Sequence, residues 1–353
     1  MTASESEDLV GTPGTVRKRA GKSSATIYDI ARLTGVNPST VSRALSRPGR
    51  VSAKTEEKIQ NAARLLNYRV NPLARALPTG RTNTIALIVA DITNPMYFNI
   101  VRGAESAAAR SNYTLVFAES AESAETELIA AHRLMPSVDG FILAISRLPD
   151  EQIQELATHK PVAVINREVP RVPSVVADID RGVGEAVRHL AALGHTNIAF
   201  VAGPELSWMS RHRWVSIQER CEWCNIEARN VGSQAPTVEG GRRAAASVRD
   251  SGVTAVIAFN DLIAIGLMQE LASAGISVPD DVSIIGFDNI FGSDFTTPAL
   301  TTIGSPLSES GGYAVRSILK ELGVVGSEAE GQSLTTELVV RVSTGKARKI
   351  PQG

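Results

Sequence analysis

Apolar positions recur along the chain in two rhythms that change over near residue 81. Before that point they return every three or four residues, the spacing that puts side chains on one face of a helix. Thr26 followed three residues later by Asp29 has the form of a capping box, after which Ile27, Ile30, Ala31 and Leu33 keep an apolar face until Gly35. Asn37 with Pro38 opens a second helix, in which Val41, Ala44 and Leu45 recur until Arg47-Pro48-Gly49 ends the run. Ser52 caps a third, with Ile59, Ala62, Ala63, Leu65 and Leu66 apolar, ending near Tyr68. Three short helices with a tight turn at Gly35 between the first two predict a helix-turn-helix head over 25–70.

The stretch NPLARALPTG, residues 71–80, then carries a helix start in Asn71-Pro72 and a stop in Pro78-Thr79-Gly80. A helix shorter than about 12 residues is marginal in water. We read 71–81 as a hinge helix that something outside the chain must hold.

After Arg81 the rhythm becomes that of alternating strands and helices. Apolar runs at 85–90, 113–118, 140–145, 162–165, 198–202, 255–259 and 282–287 read as strands, and 97–110, 182–193, 262–274 and 308–322 among the intervening stretches read as helices. Such alternation predicts parallel sheets with helices on both faces. Its length exceeds one ordinary doubly wound domain, so two subdomains are expected.

Charge changes the picture at the same boundary. Residues 15–81 carry 14 Lys and Arg against Asp29, Glu56 and Glu57, a balance of +11, whereas residues 82–353 carry 22 basic and 31 acidic side chains, or -9. A basic head on an acidic body points to a polyanion partner for the head, the alternative being a solvated basic arm. Residues 1–24 are almost devoid of apolar side chains and are expected to be a disordered tail. Neither a run of about 18 apolar residues nor a signal peptide is apparent, so a cytoplasmic location is expected. Cys221 and Cys224 form a CxxC that could be a redox pair or half a zinc site, but only His212 is nearby and no second ligand pair exists. We take them as unpaired thiols and expect neither metal nor cofactor.

In the head, the start of the second helix offers Ser39, Thr40, Ser42 and Arg43, hydroxyl donors for phosphates and bases plus a guanidinium able to bind guanine through two hydrogen bonds in the major groove. In the body, polar residues follow strand ends: Asp91 and Asn94, Asn166 and Arg167, Asn260 and Asp261, Asp288 and Asn289. Ligands of open α/β sheets bind at the carboxyl ends of strands. With Trp208, Arg211 and Arg213 this set suits a polyhydroxylated ligand whose apolar face stacks on a ring, a sugar rather than a lipid. Enzyme signatures are absent: no GxSxG, HExxH, GxxxxGK[ST], or GxGxxG after the first strand.

Segments of the sequence also resemble a family. TIYDIARLTGVNPSTVSRALSRPGRVSAKTEEKIQNAARLLNYRVNPLARAL is similar to the DNA-binding head of the LacI/GalR (lactose/galactose-repressor) family. DITNPMYF, DGFIL, NREVP, LGHTNIAFVAGP, AFNDLIAIGLMQEL and ISVPDDVSIIGFDN resemble its body in order, the match running from about Thr26 to Thr344. The resemblance implies an α/β body of two Rossmann-like, periplasmic-binding-protein-like subdomains behind the all-α helix-turn-helix head and short hinge helix. It implies subdomains of 82–179 plus about 305–331 and 180–304 plus about 332–345, with a tail at 346–353. It implies, further, a homodimeric transcription factor, not an enzyme, that binds a pseudopalindromic operator and is switched by a small molecule, a sugar, with no membrane partner. The residues it marks for DNA are Thr26, Tyr28, Pro38, Ser39, Thr40, Ser42, Arg43, Asn71, Ala74 and Leu77. Leu77 falls on the minor-groove leucine and Pro38 where the family often places a base-reading side chain. Those it marks for the effector are Asp91, Asn94, Asn166, Arg213, Asp261 and Asp288, with Trp208 taken as the stacking partner. The stretch from Val215 to Val231 departs from the Gly-Phe-containing helix of the family pattern. The competing reading is a sugar-binding or sugar-modifying protein with an incidental basic arm.

Overall fold

The computed structural model describes residues 25–46, 49–68, 80–324 and 334–348, and divides into two compact units, residues 1–80 and 81–353. The expected tail, and Asn71, Ala74 and Leu77 of the expected hinge, lie outside the described residues.

In the first unit, helices α1 (Ile27–Thr34), α2 (Pro38–Ser46) and α3 (Ala53–Leu65) start where the caps place them. The Thr26 hydroxyl accepts from Asp29 N while the Asp29 carboxylate accepts from Thr26 N at 2.9 Å, and Gly35 ends α1 at φ +65°. Asn37 Oδ1 accepts from Ser39 N at 3.0 Å, and the Ser52 hydroxyl accepts from Thr55 N. These bonds satisfy amides that a helix start leaves without intrahelical partners. Ile30, Val41, Ala44, Ile59, Ala62 and Ala63 form the core. Two expected members are not in it: Leu33 is 56% and Leu65 80% exposed. The buried face of α1 runs from Ile30 to Thr34, four residues on, and Thr34 is tolerated there because its hydroxyl donates to the Ile30 carbonyl at 2.7 Å.

The second unit begins with β1 (Thr84–Val89), α4 (Met96–Arg110), β2 (Thr114–Glu119), α5 (Ala124–Leu134), β3 (Gly140–Ala144), α6 (Asp150–His159), β4 (Val162–Ile165) and β5 (Ser174–Val175). Its strands pair in parallel in the order β2-β1-β3-β4-β5. The chain then builds α7 (Asp180–Ala192), β6 (Asn197–Ala202), α8 (Trp208–Trp223), β7 (Glu227–Ser233), α9 (Val238–Asp250), β8 (Ala255–Ala258), α10 (Asp261–Ser273), β9 (Ser283–Asp288) and β10 (Thr301–Gly304). Helix α11 (Leu307–Glu321) returns to pack against α4 of the first half, and β11 (Glu337–Val339) adds an antiparallel edge to the second sheet, ordered β11-β10-β9-β8-β6-β7. Strands β3, β4, β8 and β9 are buried throughout, as parallel strands covered on both faces must be.

The stretch that departs from the family pattern is regular. Helix α8 runs through it to Trp223 and β7 follows as a polar edge strand, EARNVGS, whose composition suits an edge and hides it from an apolar-run reading. Cys221, buried in α8, has its thiol pushed up to about 12 by burial and is held protonated. His195, from the turn before β6, contacts the Thr254 and Ser283 hydroxyls at 2.8 and 3.1 Å and so ties together the starts of β8 and β9.

Two helix pairs approach at backbone distance by the same device. A Cβ on Gly103 of α4 would lie 1.8 Å from the Ser308 carbonyl oxygen of α11, and one on Gly311 2.1 Å from that of Ile100. Between α9 and α10, Gly266 and Gly241 stand in the same relation to Val238 and Ile263, at 1.8 and 2.1 Å. No described helix is long and apolar enough to cross a membrane.

Candidate functional site

A narrow cavity lies where strands of both sheets end. Four of its lining residues, Glu122, Ile145, Asn166 and Asp288, have φ of +60°, +61°, +60° and +96°; Ile145 and Asn166 directly follow β3 and β4, Asp288 closes β9, and Glu122 lies three residues past β2. A left-handed residue turns the chain sharply as it leaves the sheet, at a backbone cost of about 1–3 kcal/mol for each non-glycine. The surrounding sheets must hold these residues in place.

From the second sheet, Arg213 of α8 reaches into the cavity, its side chain 4% exposed. Its Nη2 donates to Asp288 Oδ1 at 2.8 Å and its Nη1 to the Phe259 carbonyl, and its guanidinium lies 3.6 Å from the Phe287 ring centroid. Burial pulls its pKa below the ordinary value while the charge of Asp288 opposes that. Nε has no partner among the described residues although it is buried. A buried unpartnered donor costs about 1–3 kcal/mol, which a ligand acceptor would recover. Asp288 Oδ1 also accepts from the Ser305 hydroxyl at 3.2 Å.

From the first sheet, Arg147 donates through Nε to Glu122 Oε2 at 2.8 Å, and its Nη2 lies 2.6 Å from the same oxygen. Its backbone N–H is accepted by Glu127, whose carboxyl is pushed up by burial. The Tyr97 hydroxyl accepts from Ala90 N, and burial raises its pKa, so it enters the wall as a neutral phenol.

Of the residues expected to hold an effector, Asn94, Asn166, Arg213 and Asp288 are brought together here. Three are placed elsewhere. Asp91 is turned into its own loop, where Oδ1 accepts from Thr93 N and hydroxyl at 2.8 and 2.6 Å. Trp208 packs against the core of the second sheet and against the His212 ring at 4.7 Å. On a helix the residue that shares the face of Arg213 is four back, so Met209 lines the cavity in its place, with Tyr97 and Phe259 supplying the aromatic surface. Asp261 is fully buried away from the lining: it accepts from Ile290 N at 2.8 Å and from the Ser293 and Thr302 hydroxyls at 2.6 Å, clamping the 290–293 loop to α10. Arg167 likewise serves structure, donating to the Ser146 and Leu148 carbonyls and to Asp150.

Burial pushes Asp261 up to about 7 from an ordinary 3.8, against the pull of its three donors. A raised carboxyl pKa means the folded state binds the proton more tightly than the unfolded one. Its stabilising contribution is complete below about 3.8 and is lost as pH rises through about 7. Urea titrations from pH 4 to 8 are therefore expected to show stability falling across that window in the parent and a flatter profile in Asp261→Asn. Parallel curves for the two proteins would contradict the assignment.

Glu122, Arg147, Tyr97, Met209 and Phe259 are cavity residues that sequence reasoning passed over. A usable signal existed for two of them. Glu122 and Arg147 lie within three residues of the ends of β2 and β3, the same position that marked Asn166 and Asp288.

In the head, Ser39, Ser42 and Arg43 are exposed on α2 opposite buried Val41 and Ala44, with Pro38 and Thr40 half-buried beside them. Tyr28 is 68% exposed on α1, and Thr26 is exposed with its hydroxyl engaged in the cap.

A helix-turn-helix head joined to a two-sheet α/β body with a polar cavity at the strand ends is the organisation of a transcriptional regulator with a periplasmic-binding-protein-like body. Residues 26–71 match the bacterial regulatory proteins of the lacI family, and residues 187–344 match the periplasmic binding protein-like domain. The HTH-type transcriptional regulator DegA of Bacillus subtilis (strain 168) is 34% identical over 330 residues, covering 90% of this chain and 98% of DegA. The chain belongs to the LacI family. The lac repressor dimer bound to operator and the anti-inducer ONPF superposes with a TM-score of 0.80 at 27% identity, covering 92% of this chain and 100% of that one. A LacI family regulator from Enterococcus faecium with bound ribose covers 75% of this chain and 100% of its own at 31% identity, with a TM-score of 0.66.

Proposed function

We propose that the protein is a cytoplasmic, non-enzymatic repressor, a homodimer on a pseudopalindromic operator, whose DNA affinity is set by a sugar bound in the cavity. The observation that carries this reading is the cavity itself, where a buried donor and two ion pairs from different sheets converge below the ends of the strands. The related lac repressor is a dimer on its operator, and the related Enterococcus regulator holds ribose. Residues 82–179 with about 305–331, and 180–304 with about 332–345, are assigned as the two effector subdomains, with 25–70 as the DNA-binding domain and 71–81 as the hinge. A ligand that changes how the two sheets close on one another would couple to operator affinity, typically by about 1–3 kcal/mol.

On this reading the exposed face of α2 enters the major groove, with Thr26, Tyr28, Pro38, Ser39, Thr40 and Ser42 around Arg43 and with Asn71, Ala74 and Leu77 of the hinge at the minor groove. Arg43→Ala is expected to weaken operator binding by about 1–3 kcal/mol and to relax the choice of one base pair. The operator would be selected from a random duplex pool and binding followed by fluorescence anisotropy at several salt concentrations. Affinity should fall steeply as salt rises. Salt-independent binding, or an Arg43→Ala variant as tight as the parent, would sink the proposal. For the effector, a thermal-shift screen of sugars should give a ligand that raises the melting temperature and shifts operator affinity together.

A further inference from the structure

The charged side chains lining the cavity are Glu122, Arg147, Arg213 and Asp288, and each is already paired with its neighbour on the same sheet. Neither guanidinium is in excess. Both pairs are lopsided, however. Both Arg147 contacts fall on Glu122 Oε2, so Oε1 accepts no hydrogen bond among the described residues. The Arg213 and Ser305 donors both fall on Asp288 Oδ1, so Oδ2 is open in the same sense, while Arg213 Nε is a buried donor without a partner. Each pole thus presents an unused acceptor beside a guanidinium.

We propose that the ligand is an uncharged, polyhydroxylated molecule that spans the two poles, and that the Glu122–Arg147 pair is the selectivity element that excludes phosphorylated and carboxylated sugars. This rests on the reading of the cavity as the effector site. A hydroxyl both donates and accepts, so vicinal hydroxyls can meet a carboxylate oxygen and a guanidinium N–H at once. A phosphate or carboxylate only accepts. Placed here it would face two carboxylates, while both cations are already neutralised, and it would lose its hydration in the process. Tyr97, Met209 and Phe259 offer apolar surface for the C–H face of a sugar ring.

The test uses the full chain and calorimetry on a panel of pentoses, hexoses, disaccharides and nucleosides, each beside its monophosphate, with inorganic phosphate as a separate probe. The expected binder is uncharged, its monophosphate is weaker by about 100-fold, and inorganic phosphate leaves the parent's melting temperature unchanged. Glu122→Gln frees the Arg147 guanidinium, so that variant should narrow the ratio by about tenfold or more and gain a phosphate-dependent rise in melting temperature. Arg147→Gln, leaving Glu122 unopposed, should widen the ratio. A phosphorylated compound that binds the parent as tightly as its uncharged counterpart, and loses that binding in Arg147→Gln, overturns the proposal while leaving the cavity as the effector site. If nothing on the panel binds the parent and Glu122→Gln gains no phosphate binding, the effector reading falls, and the proposal with it.

Discussion

Replacing Arg213 with methionine is expected to destabilise the body by about 3–5 kcal/mol and to abolish the response to effector. The size of the effect follows from what remains. Asp288, 3% exposed, would stay in the cavity with only the Ser305 hydroxyl as donor among its described partners, and an unpaired buried carboxylate loses far more hydration than one hydroxyl returns. Methionine keeps most of the volume between Phe259 and Phe287, so a cavity contributes little to the loss. The control is the double replacement Arg213→Met with Asp288→Leu, which buries no charge and should recover most of the stability while remaining unresponsive to ligand. Urea denaturation of the parent, the single variant and the double variant separates the two contributions. A single variant within about 1 kcal/mol of the parent would show that the pair is solvated and contradict the burial of Arg213 and Asp288.

Gly266→Ala is the second large effect, and two opposing contributions decide it. Alanine is favoured over glycine inside a helix by about 1 kcal/mol, which alone would stabilise α10. Against that, the new methyl would lie 1.8 Å from the Val238 carbonyl oxygen, and the obstacle is backbone rather than a side chain that can swing away. Helices α9 and α10 would have to separate, at the upper end of the roughly 1–3 kcal/mol typical of overpacking or beyond it. Net destabilisation of about 2 kcal/mol is expected, visible as a fall in melting temperature. Gly252→Ala is a useful contrast: a Cβ there meets nothing within 4 Å, so any loss would arise from its φ of +68° alone. A stabilised Gly266→Ala would mean the helices are not in backbone contact.

Much of the architecture was legible because its signals are local. The capping box at Thr26 and Asp29 and the caps at Asn37 and Ser52 set the helix starts of the head, and the apolar runs of β1, β3, β4, β8 and β9 are what a strand buried on both faces requires. Strands β7 and β10 escaped because EARNVGS and TTIG have no apolar run; β7 is defined by its edge position and register against β6, and β10 by its pairing between β9 and β11, and those are properties of the sheet. The site was half legible. Strand-end position marked Asn166 and Asp288, but it did not separate Asn260, which lines the cavity, from Asp261 next to it, which faces the Ser293 and Thr302 hydroxyls. Direction at a strand end depends on the backbone angle of the residue, and on which neighbour offers a donor. Trp208 shows the helical version of the same limit. A shift of one position along α8 turns a side chain by roughly 100°, enough to exchange Trp208 for Met209 at the cavity wall.

The left-handed residues at and just past the strand ends bear on how this protein could be retargeted to a new effector. Glu122, Ile145, Asn166 and Asp288 fix the shape of the chamber through their backbone, so exchanging them alters its contour as well as its chemistry. Ile145 is the most constrained, since a β-branched residue tolerates such a φ poorly. Combinatorial libraries aimed at a biosensor should therefore hold these four fixed and vary Met96, Met209 and Phe259, which line the cavity from ordinary backbone.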